Sequence, residues 1–311
     1  HPDARGPIPR RTPRPAAMTE PLKVGRIWLI AGTGEGPELA KHFLERGWRL
    51  RVSVVTPSAC APYASHPRLE VMVGPIAGAG GLRSALEEAE RQGDRFEWVI
   101  DASHPFASQI SSAAAEATQN RPERLLRLQR PPLATPRAIP LRQMGELSSH
   151  LIGGERLLLA IGSRYLKEAA LHGEGSRLHS RVLPHPQALR QAVQAGLPPN
   201  RIACLRPTAD GAVEKALCRH WQIDTLLCRQ SGGVSEALWL RIAAELDLRL
   251  LLLQRPAEPE GTKQLPFAEL IEHVGNPEEA RDDGTRGWSK RGIARLGADD
   301  GSQPGEGGKP C

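Results

Sequence analysis

The run Ile27-Trp28-Leu29-Ile30-Ala31-Gly32-Thr33-Gly34-Glu35-Gly36-Pro37-Glu38-Leu39-Ala40 decides the fold. Four apolar residues lead straight into a glycine-rich turn, and beyond it Leu39, Ala40, Phe43 and Leu44 recur at helical spacing. That is a buried strand, a tight loop and a helix start. Gly32, Gly34 and Gly36 permit positive φ and let a ligand approach bare backbone. The helix behind them offers unpaired amides and a positive dipole end, which suits a phosphate. The loop lacks the Lys-Ser or Lys-Thr of a Walker A sequence and is one residue tighter than G-x-G-x-x-G. Two readings stand: a turn in which Gly32, Thr33, Gly34, Glu35 and Gly36 hold a dinucleotide, or a glycine turn that binds nothing.

Working outward, Leu50 to Val55 is a second strand, and so compact a β-α-β unit implies a parallel pair with a right-handed crossover. The strand ends at Thr56-Pro57-Ser58, where no Asp or Glu stands ready for a ribose 2′-OH. That favours NADPH over NADH, with Thr56 and Ser58 as partners of the 2′-phosphate. Leu69 to Val73, Phe96 to Ile100 and Leu125 to Gln129 continue the strands, with helices at Leu82 to Gln92 and Ser108 to Thr118. The strand to Ile100 runs into Asp101-Ala102-Ser103-His104-Pro105-Phe106-Ala107, at the strand end where open α/β sheets bind ligands. Pro105 holds His104 extended, so that its ring can face the crevice. The alternative is that Asp101 and His104 cap the next helix and pair with each other.

Residues 131–148 are Pro-rich and aperiodic, which marks an interdomain connection. The alternation of strand and helix then starts again at Arg156 and runs to Leu253. The fold expected is α/β: two doubly wound, Rossmann-like parallel sheets with a cleft between them. The first domain spans 24–132 and the second 133–274, with a short helix at Phe267 to Val274. Residues 1–23 read as a disordered leader and 275–311 as a disordered tail. Arg164, Arg206, Arg229 and Arg255 all follow strand ends, which places them on one rim. Their forked guanidinium groups suit carboxylates, against the alternative of surface pairing with acidic neighbours.

The 311 residues carry a net charge of +6, are 40% hydrophobic and only 4% aromatic, so the core is Leu, Ile, Val and Ala. The basic balance fits an anionic cofactor or polycarboxylate substrate. Nucleic acid is not favoured, because the arginines are scattered rather than interleaved with aromatics. The five cysteines are odd in number and never spaced C-x-x-C, so neither a disulfide framework nor a metal site is expected. No apolar run approaches the roughly 20 residues that span a bilayer. No signal peptide is recognisable, Met18 is the more natural start, and a cytoplasmic protein, monomer or homodimer, is expected.

Several motifs occur together and in order: Ala31 to Gly36, the Gly74/Gly78 to Leu82 segment, Asp101-Ala-Ser-His-Pro-Phe-Ala107 and Arg127-Leu-Gln-Arg130-Pro131. After them come Ile161-Gly162-Ser163, Arg181-Val-Leu-Pro184, Ser231-Gly232 and Arg255-Pro256. Over about residues 27–256 the chain resembles the precorrin-6A reductases of cobalamin biosynthesis. The resemblance implies NADPH-dependent reduction of a ring double bond of precorrin-6A to precorrin-6B. It also implies a cobalt-precorrin-6A reductase using NADH as a close neighbour. Two stretches depart from the family pattern: Arg206-Pro207-Thr208 stands where Gly-Pro-Phe is common, and Arg229-Gln230-Ser231-Gly232 where Lys-Asp-Ser-Gly is.

On this reading Gly32 to Gly36 take the pyrophosphate. Ser103 and Pro105 line the nicotinamide end beside Asp101 and His104, the candidate catalytic pair. His104, with an ordinary pKa near neutrality, is the candidate proton donor. Arg164, Arg206, Arg229, Ser231, Gly232 and Arg255 meet the acetate and propionate arms of a tetrapyrrole. The competing readings are a non-redox nucleotide-binding or regulatory protein and a hydrolase using His104, although no G-x-S-x-G elbow is present.

Overall fold

The computed structural model describes residues 25–32 and 34–278. The expected leader, Thr33 and residues 279–311 of the expected tail lie outside the described residues. The first half of the chain contains β1 (Arg26–Ala31), α1 (Gly36–Glu45), β2 (Arg49–Val54), β3 (Leu69–Val73), α2 (Gly78–Arg91), β4 (Trp98–Ala102), α3 (Ser108–Thr118) and β5 (Arg124–Gln129). The second contains β6 (Ile139–Leu141), α4 (Leu147–His150), β7 (Arg156–Ala160), α5 (Leu166–His172), β8 (Arg177–Val182), α6 (Pro186–Gln194), β9 (Ile202–Cys204), α7 (Ala212–His220), β10 (Thr225–Arg229), α8 (Val234–Glu245) and β11 (Arg249–Leu253). The described part closes with β12 (Lys263–Pro266) and α9 (Phe267–Val274).

Two six-stranded sheets result, ordered β12-β5-β4-β1-β2-β3 and β6-β11-β10-β7-β8-β9. Every strand pair is parallel. Residues 27–31 of β1 are buried on both faces, as a central parallel strand must be. One face of the first sheet packs Leu29, Phe43, Trp48 and Ile100. The other packs Trp28, Ile30, Leu82 and Leu86. The second sheet likewise carries cores on two faces, one around Leu157, Leu159 and Leu166 and one around Leu158, Leu226 and Trp239. Both sheets are therefore doubly wound.

Three expectations change. The connection 131–148 contains an edge strand: Ile139 and Leu141 pair with Leu251 and Leu253 of β11. Three residues are too few to show a period, and Pro140 is tolerated because an edge strand has a free side. The end of the expected second domain also belongs elsewhere. β12 pairs with β5 of the first sheet, and Leu270, Ile271 and Val274 of α9 enter the core of Leu29 and Phe43. Trp48 Nε1 ties the end of that helix down by donating to Gly275 O at 2.8 Å. The first sheet thus contains a strand from the far side of the connection and the second a strand from the connection itself, pairings set by long-range contacts that local pattern does not encode. Finally, positive φ falls at neither Gly32 nor Gly36 among the described residues. Gly36 is required by space instead: a Cβ there would stand 2.7 Å from Ala31 Cβ and 2.3 Å from Tyr63 Oη.

Candidate active site

The loops leaving the carboxyl ends of β1, β4 and β5 meet those leaving β7, β10 and β11. Phe106 is the apolar peg of this contact. It follows β4 of the first sheet yet is buried in the core of the second, edge-on to Tyr165 with ring centroids 5.9 Å apart. Arg255 Nη1 donates to Arg130 O at 2.6 Å, a polar contact between the two sheets' loops. Gly232 lies against the same segment: at φ +69° it takes a conformation that suits glycine, and a Cβ would stand 2.7 Å from Pro131 O.

Arg130 gathers the first lobe's loops. Its Nε and Nη2 donate to the two Glu35 oxygens at 2.7 and 2.6 Å. Its Nη1 donates to Ser103 O at 2.9 Å and its Nη2 also to Ala102 O at 3.3 Å. Burial works against the Glu35 charge, but the hydrogen bonds and charge of Arg130 outweigh it and leave the carboxyl below its usual range. The remaining glycines face the same groups. A Cβ on Gly32 would stand 4.0 Å from the His104 amide nitrogen, and one on Gly34 3.7 Å from Arg130 Nη2. Bare glycine at both positions leaves room beside these groups.

Asp101 is not placed to act on a substrate. It is 1% exposed; Oδ1 accepts from the Ser103 amide at 2.9 Å and Oδ2 from Arg127 Nη1 at 2.7 Å. Both oxygens are committed, so Asp101 sets the Ser103 turn and holds Arg127. Nor does Asp101 pair with His104, whose Nδ1 accepts from the Phe106 amide at 3.1 Å. That bond assigns any ring proton of the neutral imidazole to Nε2.

The expected near-neutral pKa of His104 is absent. Burial, followed by the charges of Arg229, Arg130, Arg255 and Arg127, pushes it down to about 3. His104 is therefore neutral at pH 7 in the free protein and holds no imidazolium proton to deliver. A depressed pKa stabilises the fold above the unfolded value, about 6.5, and that stability is lost as pH falls towards 3. H104Q is expected to flatten the loss of melting temperature between pH 6 and 4, read by thermal unfolding. An unchanged acid slope in H104Q would contradict this assignment.

Arg229 and Arg255 reach the contact. Arg229 lies with its guanidinium carbon 5.2 Å from the Phe106 ring centroid and 5.7 Å from that of Tyr165. No carboxylate among the described residues pairs with it, and burial pulls its pKa down. Arg255 Nη2 is buried without a partner. Ser231 is buried in the turn before Gly232, whose amide donates to Glu236 Oε2 at 2.6 Å. Exposed Arg164 adds its charge beside Arg229.

Of the four arginines expected on one rim, Arg206 stands away from the contact between the lobes. It follows β9, the outer strand, with β8 and β7 between it and β10, and stands exposed. Thr56 Oγ1 and Ser58 Oγ lie 3.2 Å apart at the end of β2, and Pro105 is buried beside His104. Arg127 and Arg130 were not among the expected site residues. The signal was present as two arginines three apart, one in β5 and one just after it, before Pro131.

Opposed carboxyl ends of two parallel sheets, with a glycine-lined first loop and a buried arginine cluster where they meet, define a two-lobed Rossmann-like protein. Residues 26–275 match the family described as "Precorrin-6x reductase CbiJ/CobK". The chain is 33% identical over 239 residues to the "Cobalt-precorrin-6A reductase" of Synechocystis sp., covering 74% of this chain and 88% of that one. It is 30% identical over 249 residues to the "Precorrin-6A reductase" of Rhodococcus erythropolis, covering 76% and 92%. The solved structure "CobK precorrin-6A reductase" superposes with a TM-score of 0.64 at 24% identity, covering 81% of this chain and 99% of that one, and shares the fold. The chain belongs to the precorrin-6x reductase family and is an oxidoreductase.

Proposed function

We propose that the protein reduces a ring double bond of precorrin-6A to give precorrin-6B in cobalamin biosynthesis, with NADPH as the reductant, in the cytoplasm. The observation that carries the reading is the meeting of an open glycine loop with an unpaired buried arginine. On the first lobe Gly32 faces the His104 amide and Gly34 faces Arg130, and Arg229 stands over Phe106 from the second. One ligand is a dinucleotide and the other a tetrapyrrole with several carboxylate arms.

The residues fit a dinucleotide. Gly32, Gly34, Glu35 and Gly36 lie at the start of α1, where amide groups and the helix dipole suit a pyrophosphate. The hydroxyl pair Thr56–Ser58 offers donors to a 2′-phosphate and no carboxylate to repel it. Ser103 and Pro105 shape the nicotinamide end of the same crevice. When bound, the nicotinamide supplies the hydride; the chain supplies orientation and charge. Arg229, Arg255 and Arg164, with the Ser231-Gly232 turn, orient the substrate's carboxylates, with Arg206 at most an outer contact. His104 stays neutral and offers a hydrogen bond from Nε2.

The name of the Synechocystis relative supports a second reading, reduction of the cobalt-containing substrate, for which NADH is the reductant proposed. The deciding experiment titrates NADPH and NADH by their fluorescence, then follows oxidation of each with precorrin-6A or cobalt-precorrin-6A supplied by a preparative mix. Preferred NADPH binding, weakened towards NADH in the T56V/S58A double variant, is the expected result. Turnover of cobalt-precorrin-6A with NADH alone would select the second reading. A protein that binds neither nucleotide is not a nicotinamide-dependent reductase.

A further inference from the structure

Glu35 stands at the N-cap of α1 yet caps nothing: its side chain makes no hydrogen bond to the helix amides. Its carboxylate instead turns over the glycine loop to take the Arg130 fork with both oxygens. Phosphate and carboxylate engage a guanidinium in the same two-pronged way. The carboxylate thus occupies Arg130 at the mouth of the loop that, on the reading above, receives a pyrophosphate.

The two partners are not held equally. Arg130 is 9% exposed and Glu35 31%. Arg130 also donates to two backbone carbonyls, Ser103 O and Ala102 O. The Glu35 carboxylate takes its side-chain hydrogen bonds from Arg130, with its own backbone amide adding to them. The cation is the more firmly anchored of the two. An ion pair serving only stability gains little from such asymmetry, because the more exposed partner is screened.

We propose that Glu35 is a built-in stand-in for the cofactor's pyrophosphate: it holds the Arg130 fork in the free protein and yields it to the dinucleotide, which makes Arg130 a phosphate clamp. The proposal rests on the dinucleotide reading of the loop and reverses the expectation that Glu35 is itself a cofactor contact. The clamp residue also lies against the second lobe. The Arg130 carbonyl accepts from Arg255, and a Cβ on Gly232 would stand 3.1 Å from Arg130 Cβ.

The test measures affinity for NADPH and for ADP-ribose, which carries the pyrophosphate without the nicotinamide, by calorimetry on the full chain. E35Q keeps the shape and removes the competing charge. It is expected to bind both ligands about fivefold tighter, the equivalent of a surface-grade ion pair released. R130K, which loses the fork, is expected to bind both at least about tenfold more weakly, with thermal melting confirming that it is folded. Unchanged or weaker binding by E35Q, with the unaltered protein binding normally, overturns the stand-in and leaves the loop assignment intact. An unaltered protein that binds neither ligand overturns both.

Discussion

Exchanging Arg229 for methionine is expected to weaken substrate binding about tenfold to a hundredfold, the range of a lost charge-assisted hydrogen bond, while leaving the free protein at least as stable as before. The second half of that expectation discriminates. Arg229 ends β10, the central strand beside β7, and its head is packed rather than solvated. The Phe106 and Tyr165 rings flank it, and a side chain on Gly162 would come within 3.4 Å of Nη2. Gly162 has φ +83°, so a larger residue there is strained as well as crowded. A cation desolvated in this way, with no anion among the described residues, costs the folded state free energy that two ring contacts recover only in part. A substrate carboxylate removes that cost on binding. R229M removes it permanently, at the expense of affinity. R229K keeps the charge without the fork and is expected to fall between the two. Measured values of KM and melting temperature decide: a drop of several degrees with unchanged KM would make Arg229 a structural residue and unseat the carboxylate assignment.

What could be read from the sequence, and what could not, follows from the range of the forces. Ile27 to Ile30 reads as a buried strand because both of its faces are covered, which demands an unbroken apolar run. The alternation of strand and helix in both halves gives two parallel sheets for the same reason. β6 and β12 escape such a reading because each is three or four residues long. Their places are set by partners more than 100 residues away, Leu251 for Ile139 and Leu126 for Lys263. The site divides in the same way. That His104 follows a strand end is visible locally. That it is neutral is not, since Arg229, Arg130, Arg255 and Arg127 come to it from other strands. Asp101 looks catalytic in the sequence because a carboxylate at a strand end usually faces solvent. Only the register of β4 on β5, which sets Asp101 directly beside Arg127, shows that it is spoken for. Arg206 stands apart from Arg229 along the rim because strand order, not chain order, decides which strand ends are neighbours.

That register supplies the largest stability effect expected in the chain. R127M is predicted to cost about 3–5 kcal/mol of unfolding free energy, the usual result of stripping one partner from a buried ion pair. Arg127 is 2% exposed. It donates to Asp101 at 2.7 Å and to Ser103 Oγ at 3.3 Å, and it pairs with Glu258. Removing it leaves the Asp101 carboxylate in the protein interior with only the Ser103 amide for company. D101N is expected to be milder, because asparagine still accepts from that amide and Arg127 keeps Glu258. The double variant D101N/R127M is therefore expected to lose less than R127M alone, a sign that uncompensated charge, rather than lost packing, carries the cost. The arrangement also has a topological consequence. Glu258 lies on the segment that carries the chain from β11 back to β12, so Arg127 fastens the returning segment to the turn on which Ser103 and His104 sit. Weakening it is expected to loosen cofactor binding together with the fold, whereas R229M separates the two. Denaturant titration of the three variants measures the coupling directly, and an R127M protein within about 1 kcal/mol of the unaltered chain, the level of an exposed pair, would show that the pair is solvated rather than buried.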